Sequence, residues 1–294
     1  MRAAVVAGPG SASVADVPVP EPQDGHVLLR IEGCGVCGSN LPVWEGRPWF
    51  EYPLLAGAPG HEGWGYEVDS GRRVAFLSYH GFAEHDVAAA DEVVELPAEL
   101  DGLPFPGEAL ACAVNVFRRS GIERDAQVAV VGVGFLGALV LQLAVAAGAD
   151  VVAFSRREWA RELARSLGAR APAEPEPESC DVVVEVAGAQ ETLDLSTQLV
   201  RVRGRLVIAG FHQADARTVD MQTWNWRGLD VVNAHERDPA VYVRGLREAV
   251  RAVVDGILDP RPLITHSFPL ARIADAFEAA RTRPDGFLKA VVTP

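Results

Sequence analysis

Between Val128 and Gly148 the chain carries no charged residue, and glycines at 132, 134 and 137 interrupt the run. Without them, an apolar stretch of this length would read as a membrane span. The glycines divide it into a short valine-rich piece and a longer helical one. Asp125 precedes it, Asp150 follows, and a second valine-rich piece covers 151–154. The pattern predicts a buried strand, a tight turn, a helix and a second parallel strand. That unit commits this half of the chain to an α/β layer architecture.

From about Gly107 onward, valine-rich strands at 128–131, 151–154, 181–186 and 205–209 alternate with helical segments, the signature of a doubly wound parallel sheet. Residues 1 to about 105 read differently. Short strands at 26–31, 73–77 and 92–96 are punctuated by Pro and Gly, so this half is β-rich. The proline-dense segment 171–179 fits only an exposed connection. Near the end, helical spacing covers 239–258 and 270–280, with a strand expected over 263–268.

The turn Gly132-Val133-Gly134-Phe135-Leu136-Gly137 follows a strand and opens a helix, the context a dinucleotide fingerprint requires. The first glycine permits the turn, the second lets backbone approach a pyrophosphate, and the third allows helix and strand to pack closely. The helix N-terminus, with Phe135 and Leu136 in its first turn, favours the phosphate charge. After the next strand comes Ser155-Arg156-Arg157, where an NAD-preferring site would place a carboxylate. Hydrogen bonds and positive charge there suit a 2′-phosphate, so NADP(H) is expected over NAD(H). The competing reading is that both arginines are merely solvated at a helix start, with Glu158 opposing a phosphate.

Charge and cysteine usage narrow the partners. A net charge of −13 repels nucleic acid and anionic membrane surfaces. Cys34, Cys37, Cys112 and Cys180 make no disulfide framework, and the N-terminus has no signal-peptide core, so a cytoplasmic protein is expected. The exposed edge of a parallel sheet makes a homodimer the expected assembly.

Cys37 and the pair His61-Glu62 supply a soft and a borderline metal donor from two loops of the β-rich half, and a third, oxygen donor would complete a catalytic site. Cys34 with Cys37 also admits a redox pair or half of a zinc knuckle, but no second CxxC exists to close one.

The segments 35–39 (GVCGS), 60–62 (GHE) and 132–137, with 81–84, 184–188, 204–207 and the closing 268–289, resemble the zinc alcohol dehydrogenase branch of the medium-chain dehydrogenase/reductase superfamily. The resemblance implies a GroES-like catalytic domain over 1–115 and a Rossmann domain over 116–258, with 259–294 returning to the first and the active site in the cleft between. It implies one catalytic zinc on Cys37 and His61, with Glu62 as a nearby or alternating ligand and Glu108 in the acidic position of the polyol type. Cys112 is the competitor for that last place. Ser39 matches the hydroxyl that relays the substrate proton. The implied reaction is hydride transfer between NADP(H) and a polyol, sugar or secondary-metabolite alcohol or its carbonyl. Two rivals stand beside it: a zinc-free reductase acting on a quinone or activated double bond, and a silent NADP(H)-binding sensor or scaffold.

Three departures from the family pattern matter. Asn40 stands where an Asp commonly orients the histidine ligand, and an amide there should lower metal retention. Pro42 replaces a histidine that often ends the proton relay. No cysteine lies between Arg73 and Glu108, so the structural zinc lobe of many relatives is absent. Trp44, Trp49 and Phe50 are candidates for an apolar pocket wall or for core packing, and Trp224 and Trp226 for interface packing or pocket closure.

Overall fold

The computed structural model describes residues 1–213 and 216–294. The chain divides into two compact units: Met1–Ala111 with Asp238–Asp255 and Pro260–Pro294, and Cys112–Arg237 with Gly256–Asp259.

The first unit opens with β1 (Arg2–Gly8) and β2 (Ser11–Asp16), a two-stranded antiparallel pair. β3 (His26–Val36) is the long strand that organises the rest. A 3-10 turn at Gly38–Asn40 and the short helix α1 (Leu41–Trp44) follow it. Next come β4 (Glu62–Glu67), β5 (Arg73–Phe76), β6 (His85–Ala89) and β7 (Val93–Glu95). Helix α2 (Gly107–Ser120) carries the chain from the first unit into the second.

The second unit contains β8 (Gln127–Val131), α3 (Phe135–Ala146), β9 (Asp150–Phe154), α4 (Glu158–Ser166), β10 (Cys180–Glu185), α5 (Gln190–Leu199), β11 (Val200–Ile208), α6 (Met221–Arg227) and β12 (Asp230–Asn233). The strands form one parallel sheet in the order β12-β11-β10-β8-β9. Strand order therefore reverses at β8, flanked by β9 and β10, and ligands bind such sheets outside the carboxyl ends at this reversal. β8 and the middle of β10 are buried on both faces, which is why their sequences are near-continuous valine.

The chain then forms α7 (Pro239–Val254), β13 (His266–Pro269), α8 (Ile273–Thr282) and β14 (Ala290–Thr293). β14 pairs antiparallel with the end of β3, extending the first unit's sheet to the order β13-β14-β3-β4-β5-β7, with β6 also on β3. Two sequence expectations differ here. The strand expected over 263–268 starts only at His266, because Leu263 ends a 3-10 turn over 261–263, and Pro260 and Pro262 favour that turn and remove ladder donors. Helix α7, expected with the nucleotide half, groups with the first unit. Its amphipathic face, buried through Val243, Leu246 and Val250, specifies a helix but not the layer it joins.

The first unit's core gathers Trp44, Phe82, Phe277 and Phe287 around Cys34 and Val36. Trp44 stacks on Phe277 at 5.3 Å, so it is a core residue and not a pocket wall, and Phe50 packs against the same core. Trp49 is exposed. Trp224 packs on the second unit's core, whereas Trp226 is 90% exposed. Among the described residues no helix is long and apolar enough to cross a membrane.

Candidate active site

The end of β3 and the turn after it set the first part of the site. Cys37 caps the 3-10 turn, its backbone N–H donating to Asn40 Oδ1 at 2.9 Å. Asn40 is buried, and its Nδ2 donates to the Pro59 carbonyl at 3.0 Å, tying this turn to the loop that delivers His61. The same carbonyl lies 2.9 Å from His61 Nδ1. A carbonyl can only accept, so Nδ1 carries a proton, and in the neutral ring that could ligate a metal Nε2 keeps its lone pair. The backbone thus orients this imidazole. Asn40 does not take over the role of an aspartate; it holds the acceptor in place.

Ser39 Oγ lies 3.2 Å from His61 Nε2. Donor atoms of Cys37, His61 and Glu62 lie within 4.8 Å of one another, and a four-coordinate ion with bonds of about 2.0–2.3 Å closes that span by a small side-chain movement. Sulfur, nitrogen and carboxylate oxygen form a donor set that fits zinc. In the metal-free chain the positive charge falls to the imidazole. Burial opposes the charged form, but the hydrogen bond to Cys37 and the negative charges of Cys37, Glu108 and Glu62 outweigh it and raise His61 to about 10. Glu108, in the first turn of α2, is therefore close enough to act on the cluster. Cys34 is fully buried and belongs to the core, its thiol pushed well up by that burial first and by Glu62 second, so it makes no pair with Cys37.

Two neighbours escaped the sequence reading. Lys289, just before β14, is buried and donates from Nζ to Glu62 Oε1 at 2.6 Å. Burial works against its charge, but Glu62, Cys37 and Glu108 more than compensate and raise its pKa. Glu62 is itself fully buried, and Gly35 on the neighbouring strand makes room for it: a Cβ there would sit 1.9 Å from Glu62 Oε2. A single lysine within the apolar run 286–293 was the available signal. Tyr79 lies nearly parallel to His61, ring centroids 6.3 Å apart, and nothing in its local sequence marks it.

In the second unit, the glycine turn follows β8 as expected. Gly132 has φ of +109°, and a Cβ there would come within 2.9 Å of Ala187. A Cβ on Gly137 would meet the Gly132 carbonyl at 2.0 Å, whereas one on Gly134 would meet nothing within 4 Å. Packing therefore occupies the space at the first and third glycines. The second, capping α3, faces open space at the helix N-terminus, which fits a pyrophosphate. Ser155, Arg156 and Arg157 lie between β9 and α4, with both arginines exposed. Glu158, which opposed a phosphate in the sequence reading, is engaged by Arg161 and by Arg165 at 3.3 Å. Its carboxyl is held below the usual range by those partners.

The zinc-binding dehydrogenase family model matches residues 136–255. Human sorbitol dehydrogenase is 24% identical across 93% of this chain and 91% of its own length. An alcohol dehydrogenase of Geobacillus stearothermophilus is 29% identical across 73% of this chain and 78% of its own. A structure from Sinorhizobium meliloti 1021, described as a zinc-binding dehydrogenase bound to NADP, superposes with a TM-score of 0.86 at 26% identity. It covers 100% of this chain and 99% of that one. In sequence and fold the chain is similar to the zinc-type, alcohol dehydrogenase-like branch of the medium-chain dehydrogenase/reductase superfamily. It is accordingly an NAD(P)-dependent oxidoreductase of the alcohol dehydrogenase type. In this dehydrogenase Pro42 is buried in α1, so it supplies no titrating group beside Ser39.

Proposed function

We propose that the protein interconverts a polyol or sugar-type alcohol and its carbonyl with NADP(H), using one zinc held by Cys37 and His61, with Glu62 and Glu108 as the acidic members of the set. The observation that carries this reading is the convergence of Cys37, His61 and Glu62 beside Ser39. When bound, zinc supplies Lewis acidity to the substrate's oxygen.

The chain's own residues do the rest. Ser39 Oγ, able to accept and donate at once, would take the substrate's hydroxyl proton, and a bound NADP⁺ would supply the hydride acceptor. The Pro59 carbonyl keeps His61 in the tautomer that presents Nε2. Gly132, Gly134 and Gly137, with the backbone of Phe135 and Leu136, bind the pyrophosphate, and Ser155, Arg156 and Arg157 bind the 2′-phosphate. The division into a catalytic domain, a Rossmann domain and a returning C-terminal segment belongs to this reading. So do a homodimer through the open edge of β12 and a cytoplasmic location, the latter in keeping with four free cysteines.

The test is a cofactor-resolved screen of alcohols on wild type and Cys37→Ser, with bound metal measured on the same samples. About one zinc per chain is expected in wild type. Cys37→Ser should lose alcohol oxidation by about a thousandfold or more while retaining cofactor affinity. Normal turnover in that variant, or a wild type that turns over without metal, would overturn the zinc assignment.

A further inference from the structure

Beyond the glycine turn, the second unit holds a polar chain anchored on a buried carboxylate that the proposed chemistry does not use. Glu185 ends β10 and is fully buried. Its Oε1 accepts from the backbone N–H groups of Ala187 at 2.9 Å and Gly188 at 2.8 Å, and from Thr192 Oγ1 at 2.7 Å. Its Oε2 meets His212 Nε2 at 3.0 Å. On the other side of that ring, Arg217 Nε donates to His212 Nδ1 at 3.1 Å, and Arg217 also donates to the Gly188 carbonyl at 3.1 Å.

The donors fix the state of the ring. Arg217 can only donate, so Nδ1 accepts, and the proton sits on Nε2 facing the carboxylate. His212 is thus a neutral bridge with one donor and one acceptor, linking a buried anion to a guanidinium. The loops it joins follow β10 and β11 and meet backbone to backbone: a Cβ on Gly188 would lie 2.6 Å from the Phe211 carbonyl. Ala187 in turn packs against Gly132. The relay therefore holds both loops and the flank of the glycine turn.

We infer that His212 and Arg217 are positioning residues for the nicotinamide half of the dinucleotide, acting through Glu185 and the loops after β10 and β11. The inference rests on the dinucleotide reading of the glycine turn. With the pyrophosphate at that turn and the adenosine ribose at the end of β9, the other half of the cofactor extends over β10 and β11. A carboxylate buried beside these loops, left without its bridge, would release the backbone it now holds.

The experiment measures the affinity of the full-length protein for NADP⁺, NADPH and 2′,5′-ADP, which carries only the adenosine half. The variants are His212→Leu, His212→Gln, Arg217→Met and Arg217→Lys, each checked for folding by thermal melting. His212→Leu and Arg217→Met should weaken both dinucleotides about tenfold, the loss of one charge-assisted hydrogen bond, with 2′,5′-ADP held within about twofold. His212→Gln, whose amide also offers one donor and one acceptor to these neighbours, should restore most of the loss. Unchanged dinucleotide affinity, or equal losses for the dinucleotides and 2′,5′-ADP, would overturn the inference. If His212→Leu fails to fold, Arg217→Met and Arg217→Lys decide it by the same comparison. A wild type that binds none of the three ligands would instead overturn the dinucleotide reading and this inference with it.

Discussion

At the donor cluster, side chains arrive from segments 37–40, 61–62, 108 and 289, and they carry charge in a buried setting. At the glycine turn, the missing side chains of Gly132 and Gly137 let backbone pack closely, and that of Gly134 leaves the space open. The first is held by ionic compensation and the second by steric room. Perturbing charge should therefore disturb one region and leave the other intact, and perturbing volume should do the reverse.

The largest break is expected from Lys289→Met. It strands the fully buried Glu62 without its partner, a change that costs about 3–5 kcal/mol in comparable sites, read as a lower urea midpoint. Adding Glu62→Gln should recover most of that loss, while dinucleotide affinity follows wild type throughout. Survival of the single variant at full stability would mean that the cluster is not held by charge.

Next in size is the pH response of chelator-treated protein. The unfolded imidazole of His61 titrates near 6.5 and the native one near about 10, so the native state holds the extra proton. Its stabilising contribution is complete below the unfolded value and is lost as pH rises through the native one, on the order of a few kcal/mol. Thermal melts across that window should show the decline in wild type and a flatter profile in His61→Asn. Equal slopes would remove the imidazole from the account.

Gly137→Ala sharpens the other side. Its Cβ would press on the Gly132 carbonyl, costing about 1–3 kcal/mol and weakening dinucleotide binding, with bound metal unchanged. The smallest effect is expected from Arg156→Ala. It should weaken NADP(H) about tenfold and NAD(H) little, and equal losses would move cofactor preference to other residues.

The glycine turn was legible because its determinants are contiguous. The strand, the three glycines and the helix are neighbours in the sequence, and φ and close packing at 132 and 137 follow from local chain geometry. Cys37, Ser39, His61 and Glu62 were legible as residue types beside family-like glycines. What escaped were partners brought from far along the chain. Lys289 reaches Glu62 because β14 pairs with the end of β3. Tyr79 reaches His61 through a loop, and His212 reaches Glu185 across two strand ends. Trp44 fitted a pocket wall and a core position equally well by sequence, and its stacking on Phe277 of α8 places it in the core.

By itself the sequence determined the β-rich and doubly wound halves, the glycine turn and the donor residues, since periodicity and turn chemistry act between near neighbours. Tertiary structure alone decided that a backbone carbonyl orients His61, that a lysine neutralises Glu62, and that α7 joins the first unit. Burial and charge compensation depend on which distant segments meet, and local sequence does not encode those meetings.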